Sequence, residues 1–255
     1  GYSEVAAERL PDMGEYGMSN RQAGWIGTGI MGAPMAGHLL DAGWSLRITT
    51  RTKSKANGLL QQGASWCDTP AGTAEGAQVV CVMAGFPADV EQVVLGPHGV
   101  LSAMTGGSVL IDFTTSSPAL AKRIAEAAEA RGVLAVDAPV SGGDVGAREG
   151  KLSIMAGGSP EAFEAARPVL ERVGSAIVHQ GPAGAGQHTK MVNQILIANT
   201  MVGVGEALLY ARQAGLDPMR VLQSVGEGAA ASWSLRHLYP RMVEGDLEPG
   251  FMVEH

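Results

Sequence analysis

The chain has 255 residues, a formal net charge of −7 and a hydrophobic fraction of 45 %. This length suits about two domains, and the composition is that of an ordinary globular protein. An acidic chain without a block of basic residues is not expected to bind nucleic acid. Its two cysteines and scattered histidines predict neither a disulfide framework nor a metal site.

Residues 1–20 are interpreted as an extension of the folded part, either a tag or a disordered segment. Acidic side chains at positions 4, 8, 12 and 15 stand against a single basic one, Arg9. Transit peptides are instead rich in arginine and poor in acids. We therefore expect a cytoplasmic protein, with an organelle matrix as the alternative.

Strand and helix patterns alternate between residues 21 and 182. Helical patterns are clearest at 31–40 and 119–131. This alternation is typical of right-handed βαβ units, so we predict an α/β fold with a doubly wound parallel sheet. The apolar runs predict strands at 23–26, 46–50, 78–83, 108–112 and 133–137, with two more at 152–156 and 175–179.

The loop after the first predicted strand carries three glycines in a dinucleotide-binding pattern, Gly27, Gly29 and Gly32. The first glycine allows a tight turn, the second lets backbone N–H groups approach a pyrophosphate, and the third lets the helix pack on the strand. We therefore predict a Rossmann-type NAD(P)-binding domain at 21–182; a plain glycine-rich turn is the alternative. The predicted cofactor-binding loop comprises Gly27, Thr28, Gly29, Ile30, Met31 and Gly32.

The second predicted strand ends at Thr50 and is followed by Arg51 and Thr52. An NAD-specific enzyme usually has an acidic residue there for the ribose 2′-hydroxyl. An arginine would instead attract a 2′-phosphate through charge-assisted hydrogen bonds. These three residues predict that NADP(H) is the preferred cofactor and NAD(H) the alternative, unless the segment is only a solvated basic loop.

The pattern changes to helices alone in residues 183–255, which we predict to form an all-α C-terminal domain. It begins with a long interdomain helix at 187–213 that is apolar on nearly every face, and such helices are usually buried. A membrane span is disfavoured by polar residues such as Asn193 and Glu206, which are costly in lipid. We also expect a homo-oligomer formed through this domain, because exposed apolar helices would aggregate.

Three further blocks follow in order: IDFTTSSP at 111–118, DAPVSGGDVGAREGKLSIMAGG at 137–158 and GAGQHTKMVNQ at 184–194. With the glycine loop they strongly resemble the β-hydroxyacid dehydrogenase family, whose members include 3-hydroxyisobutyrate dehydrogenase and tartronate semialdehyde reductase. The resemblance implies an oxidoreductase that transfers a hydride between NADP(H) and a small β-hydroxy acid or its semialdehyde. It extends from about residue 22 to the end of the sequence.

The resemblance also implies roles for individual residues. It implies that Lys190 and Asn193 are catalytic. Family members usually have Leu-Pro where this chain has Ala84-Gly85, and they continue past its last residues with a Lys-Asp-Leu motif. We therefore expect a truncated chain. The implied substrate-binding residues are Ser141, Gly142, Gly143, Asn193 and Gln194, and the further cofactor-binding residues are Met83, Ala84, Gly85 and Thr115.

The residue types fit this chemistry. Reduction of an aldehyde creates an alkoxide that needs a proton, and Lys190 is a suitable general acid if its pKa is lowered. Asn193 and Gln194 follow it at i+3 and i+4 and so share its helix face, whereas His188, two residues before it, does not. A serine hydroxyl and two glycines form a nest suited to a carboxylate.

The sequence is compatible with two competing functions. One is an imine reductase on the same scaffold, and the other is an NAD(P)-binding module without catalysis. The chain keeps Lys190, which imine reductases usually replace, and it also keeps Asn193. A module without catalysis is expected to have lost Lys190 or Asn193. Asp112 and Asp137, at predicted strand ends, are interpreted as structural caps rather than acids.

Overall fold

A computed structural model of the chain describes residues 21–248. The extension predicted at 1–20 and the last seven residues lie outside the described residues. The chain divides into two compact units, the first ending at His188 and the second beginning at Thr189. The domain boundary predicted at residue 182 stays a prediction.

The first unit contains one mixed, mostly parallel sheet. Its strand order is β3-β2-β1-β4-β5-β6-β8-β7, with β9 paired to β8. Only two of the pairings, β6 with β8 and β7 with β8, are antiparallel in the described chain. The strands are β1 (Gln22–Ile26), β2 (Ser45–Thr49), β3 (Ser65–Trp66), β4 (Val79–Val82), β5 (Val109–Asp112), β6 (Leu134–Asp137), β7 (Val140–Ser141), β8 (Leu152–Gly157) and β9 (Gly174–Gly181).

Helices connect the strands and form the second unit. Helix α8 begins in the first unit and continues into the second, where the described residues contain no strand. The helices are α1 (Gly32–Asp41), α2 (Asn57–Gln61), α3 (Pro70–Ala74), α4 (Pro87–Leu95), α5 (Pro118–Glu129), α6 (Gly143–Glu149), α7 (Pro160–Val173), α8 (Ala185–Gln213), α9 (Pro218–Val225) and α10 (Trp233–Glu244).

The predicted fold class is confirmed. Each predicted strand is present within one or two residues of its expected ends. The prediction missed β3 and β7, which have two residues each, too few for a periodic pattern to appear. The antiparallel pairings of β8 were also not expected, because alternating strands and helices predict parallel neighbours.

The sheet has a hydrophobic core on each face. Along β4, Val79 and Cys81 belong to one cluster, with Trp25 and Ile111, while Val80 belongs to the other. Burial on both faces is what a sheet covered by helices on two sides requires.

Because strands β1, β2, β4 and β5 are parallel, their carboxyl ends lie along one edge of the sheet. Open α/β sheets bind ligands at this edge.

The prediction that the long helix is buried is wrong for the single chain. Most of its apolar side chains are exposed, Leu196 by 65 % and Tyr210 by 73 %. Among the described residues of the second unit, the buried hydrophobic cluster is small and includes Val204 from α8 and Leu235 from α10. By length and composition alone α8 could cross a membrane, a criterion that core helices of other proteins also meet. A helix that is apolar on every side cannot bury all of its faces against two short neighbours.

Candidate active site

The glycine loop between β1 and α1 has a backbone that requires two of its glycines. Gly27 has φ +93°, and a Cβ there would collide with the carbonyl oxygen of Met83. A Cβ on Gly32 would collide with the carbonyl oxygen of Gly27, which shows how tightly α1 packs on the end of β1. The Trp25 indole holds the turn by donating a hydrogen bond to the Gly27 carbonyl at 2.9 Å.

The same loop leaves room for a ligand. No atom outside Gly29 and its two chain neighbours lies within 4 Å of the position that a Cβ on Gly29 would occupy, and the neighbouring Ile30 is 69 % exposed. The Thr28 hydroxyl is buried without a hydrogen-bond partner among the described residues. A buried hydroxyl without a partner costs about 1–3 kcal/mol, and a phosphate oxygen would satisfy it. The loop therefore fits the pyrophosphate of a dinucleotide.

Arg51 lies just beyond the end of β2, where the sequence predicted it. Its side chain is 80 % exposed and reaches Asp89 in the first turn of α4, with Nη1 and Oδ1 3.3 Å apart. Asp89 also accepts a hydrogen bond from the backbone N–H of Phe86 at 3.2 Å. Sequence reasoning missed this carboxylate because it is 38 residues from Arg51. Such exposed ion pairs contribute only about 0–1 kcal/mol, so a phosphate can compete with Asp89 for the guanidinium.

Thr114 ties together the loops that follow β4 and β5. Its hydroxyl accepts a hydrogen bond from the backbone N–H of Ala84 at 2.9 Å. Its own N–H donates to Oδ1 of Asp112 at 3.0 Å. Because Ala84 is held through its backbone, replacing the family's usual Leu-Pro by Ala84-Gly85 leaves this contact in place. The predicted cofactor-binding segments around Met83 and Thr115 are thus neighbours at the edge of the sheet.

Two buried carboxyl groups stand opposite each other on β5 and β6. Asp112 and Asp137 are register partners and are only 4 % and 5 % exposed. Burial raises the pKa of Asp112 to about 7; hydrogen bonds from Thr114 oppose the rise, and the charge of Asp137 adds to it. Asp112 is therefore largely protonated in mildly acidic solution.

This raised pKa gives a testable dependence of stability on pH. The unfolded chain loses the Asp112 proton near pH 4 and the folded chain near pH 7, so the folded state binds the proton more tightly and loses stability as the pH rises between these values. Asp112→Asn keeps an acceptor for the Thr114 N–H but cannot ionise. We expect the free energy of unfolding of this variant, relative to wild type, to rise by on the order of 2 kcal/mol between pH 5.5 and pH 8. Urea unfolding at the two pH values measures this change, and a constant difference would contradict it.

Asp137 caps the first turn of α8, as expected of a structural residue. Its Oδ1 accepts from the N–H of Gly184 at 2.7 Å and its Oδ2 from the N–H of Gln187 at 2.9 Å. Burial raises the pKa of Asp137, and these backbone N–H groups oppose the rise. The interaction fixes the start of α8 to the carboxyl end of β6.

Gln187 is a contact residue that the sequence analysis did not single out. It is 1 % exposed, and its amide donates to the carbonyl oxygen of Thr114 at 2.7 Å and accepts from the N–H of Ser116 at 2.8 Å. Its position three residues before Lys190, on the same helix face, is the one signal that could have identified it.

The predicted carboxylate-binding segment forms the strand β7 and the start of α6. Ser141 pairs with Ser153 across an antiparallel bridge, in a segment where the sequence predicted a carboxylate-binding nest and no strand. Gly142 and Gly143 have φ values of +132° and +63°, conformations that favour glycine. Both glycines are exposed and Ser141 is half-buried, so the segment is accessible from solvent.

Lys190 belongs to the second unit and is 8 % exposed. Burial lowers the pKa of its amine, as a general acid working near neutral pH requires. Asn193 and Gln194 are half-buried on the same helix, and the Asn193 amide donates to the Gln194 amide oxygen at 2.8 Å. His188, two residues before Lys190 in the same helix, is exposed.

Comparisons with known proteins agree with this architecture. Residues 22–181 match the family described as the NAD binding domain of 6-phosphogluconate dehydrogenase. Residues 184–255 match the NAD-binding family of NADP-dependent 3-hydroxyisobutyrate dehydrogenase. Between them the two families account for nearly all of the sequence beyond the predicted extension.

Individual relatives are similar over most of their length. An uncharacterised oxidoreductase, YkwC of Bacillus subtilis, is 53 % identical, with 91 % of this chain and 81 % of the relative covered. The 2-hydroxy-3-oxopropionate reductase of Escherichia coli is 40 % identical, with 90 % of this chain and 78 % of the relative covered. The Mycobacterium tuberculosis 3-hydroxyisobutyrate dehydrogenase structure with L-serine is 30 % identical, with a TM-score of 0.83 over 91 % of this chain and 81 % of that chain.

Imine reductases share the fold at greater distance. The Streptomyces aurantiacus enzyme is 22 % identical, with a TM-score of 0.74 over 88 % of this chain and 78 % of that chain, a likeness that concerns the fold alone. The higher identities, the two matched families and the dinucleotide loop lead to one assignment. The chain belongs to the β-hydroxyacid dehydrogenase family and is an NAD(P)-dependent hydroxyacid dehydrogenase.

Proposed function

We propose that the chain transfers a hydride between NADP(H) and a small β-hydroxy acid or its semialdehyde, with Lys190 as the proton donor to the substrate oxygen. The observation that carries this proposal is the buried Lys190 amine, whose pKa is lowered by burial. A lysine on a solvated surface would keep its ordinary pKa and its exposure. Burial disfavours the charged form of an amine, so Lys190 can give up and regain its proton more readily than an exposed lysine, which supports a role in proton transfer.

The dinucleotide is held by the loops at the carboxyl edge of the sheet. Thr28 offers a hydroxyl to the pyrophosphate, Gly29 lets it approach, and Arg51 pairs with the 2′-phosphate. The nicotinamide, when bound, supplies or accepts the hydride at the substrate carbon. On the same edge the segment around Met83 contacts the cofactor, and Thr115 lies near its nicotinamide, as the resemblance to the family implies. The description of the second matched family as NADP-dependent supports this choice of cofactor.

The remaining residues bind and orient the acid. Ser141, Gly142 and Gly143 hold its carboxylate with a hydroxyl and backbone N–H groups, because such a nest suits an anion. Asn193, with Gln194 beside it, orients the reacting oxygen next to Lys190. In the reducing direction the lysine gives its proton to that oxygen, and in the oxidising direction the neutral amine takes it back.

The direct test is consumption of NADPH or NADH with a panel of carbonyl substrates. The panel contains glyoxylate, succinic semialdehyde, tartronate semialdehyde and methylmalonate semialdehyde, with propanal as the control without a carboxylate. We expect turnover of at least one acid and little turnover of propanal. Turnover of a cyclic imine alone would indicate an imine reductase. Binding of NADPH without turnover of any compound would indicate a binding module.

We also propose that the chain forms a homo-oligomer through its helical unit. The exposed apolar side chains of α8 support this, since they are too numerous for a surface in water. Light scattering should give a mass well above the 26.2 kDa of one chain, and a monodisperse monomer would contradict the proposal. Those side chains are Met191, Val192, Ile195, Leu196, Val202, Leu209 and Tyr210.

The compartment is proposed to be the cytoplasm, with an organelle matrix as the alternative. Cys67 and Cys81 are both buried and free, and thiols stay reduced in such compartments. Fractionation of the source cells would locate the protein.

A further inference from the structure

We propose that Gln187 is a positioning residue for the reaction. Its side-chain amide clamps the β5 loop, defined here as residues 113–117, onto the first turn of α8. This inference rests on the proposed function, which places Thr115 of that loop against the nicotinamide end of the cofactor. All the residues of the clamp belong to the first unit.

The amide holds the β5 loop on both sides of Thr115. Its nitrogen donates to the Thr114 carbonyl at 2.7 Å, and its oxygen accepts from the Ser116 N–H at 2.8 Å. Thr115 itself is exposed. The clamp thus fixes the backbone around the one residue of this stretch that remains open to a ligand.

The opposite end of the clamp is equally fixed. Asp137 accepts a hydrogen bond from the Gln187 backbone N–H at 2.9 Å and one from Gly184 at 2.7 Å. Gly186 lets this turn approach the sheet, because a Cβ there would lie 2.5 Å from the Asp137 carbonyl oxygen. The side chain of Gln187 therefore extends from a backbone that cannot shift without losing these contacts.

The clamp also connects the loops on which the cofactor is proposed to lie. Thr114, held by Gln187 through its carbonyl, accepts a hydrogen bond from Ala84 through its hydroxyl at 2.9 Å. The loop after β4, the β5 loop and the start of α8 are therefore joined by one chain of hydrogen bonds. Lys190 follows Gln187 by three residues in the same helix. Loss of the amide should loosen the nicotinamide end of the site and leave the adenosine end, formed by the loops after β1 and β2, unchanged.

The test compares two ligands and three variants. Gln187→Met has a similar volume and no amide, whereas Gln187→Glu keeps the acceptor for Ser116 and loses the donor to Thr114. Gln213→Met, at an exposed position near the end of the same helix, is the matched control. Dissociation constants are measured for NADPH and for adenosine 2′,5′-bisphosphate, which carries only the adenosine end, together with kcat and thermal stability.

For Gln187→Met we expect NADPH to bind about tenfold more weakly and kcat to fall about 10- to 100-fold, as misplacement of reacting groups causes. Adenosine 2′,5′-bisphosphate should bind within about twofold of wild type. Gln187→Glu should change NADPH affinity and kcat in the same direction but by less, and Gln213→Met should change neither of these two. If Gln187→Met does not fold, the Glu variant alone decides, by whether it weakens the binding of NADPH and leaves that of adenosine 2′,5′-bisphosphate unchanged.

Equal weakening of both ligands, or unchanged NADPH binding and kcat, would overturn the proposal and leave Gln187 a structural residue only. Failure of the proposed function has a different signature, since wild type would then turn over none of the acids. In that case the clamp is still tested by comparing the effects of the variants on the two dissociation constants. If NADH binds better than NADPH, ADP-ribose replaces the bisphosphate as the adenosine-end probe.

Discussion

Replacement of Lys190 by alanine is expected to lower kcat by at least about 100-fold, the scale of losing a general acid. The affinity for NADPH should change by less than about twofold, because the proposed cofactor contacts lie in other residues. Steady-state kinetics with the best acid of the substrate panel, and titration of NADPH fluorescence, measure the two effects separately. Near-normal turnover by the variant would show that the lysine is not the proton donor.

The dependence of the rate on pH adds a second criterion. Since burial lowers the pKa of Lys190, its titration should appear in the rate at a pH below the ordinary pKa of a lysine. Reduction needs the protonated amine, so kcat for reduction should fall as the pH rises through this value. Oxidation needs the neutral amine, so its kcat should rise over the same interval. Lys190→Arg should remove both changes because arginine stays protonated.

A matched control separates this effect from the loss of any positive charge. Lys151 is exposed by 67 % and pairs with Glu149 at 3.0 Å. Lys151→Ala removes the same charge from the chain and should leave both kcat and the pH profile unchanged. A comparable loss of activity in the two alanine variants would mean that net charge, and not the position of Lys190, determines the rate.

The parts of the fold that the sequence predicted are those specified by local patterns. Strand β1, the glycines at 27, 29 and 32, and helix α1 follow each other directly, so apolar periodicity and turn chemistry identify them together. Helix α8 shows the limit of this reasoning. Its composition predicts that it needs burial, but composition does not say which surface buries it, and within the single chain that surface is not found in the described residues.

The site was predicted where a single segment supplies the chemistry and missed where distant segments meet. Arg51 could be read from the end of β2, whereas its partner Asp89 lies on another helix. Gln187 bonds to Thr114 across 73 residues, a contact set by how α8 begins against β6. Such pairs depend on tertiary packing, which has no signature in the local sequence of either member.

The last prediction is a preference for NADP(H) over NAD(H), which depends on Arg51. The 2′ position of the ribose faces the residues that follow β2 in this fold. An arginine–phosphate pair is charge-assisted and can be bidentate. One such pair gives discrimination of roughly 2–3 kcal/mol, or about 30- to 150-fold in kcat/KM. Arg51→Asp should abolish or reverse the preference, whereas Arg220→Asp, an equal change of charge in the other unit, should not.

Asp89 adds a second test of this prediction, because it is the one carboxylate among the described residues that pairs with Arg51. A 2′-phosphate must compete with Asp89 for the guanidinium and is repelled by the same carboxylate. Asp89→Asn keeps an oxygen that can accept from the Phe86 N–H, and removes the charge. It should therefore raise kcat/KM for NADPH and leave that for NADH nearly unchanged, widening the preference. Equal use of both cofactors by wild type would show that Arg51 does not select the cofactor, and so would an Arg51→Asp variant that still favours NADPH. The role left to Arg51 would then be stacking on the adenine ring, a contact that does not distinguish the two cofactors.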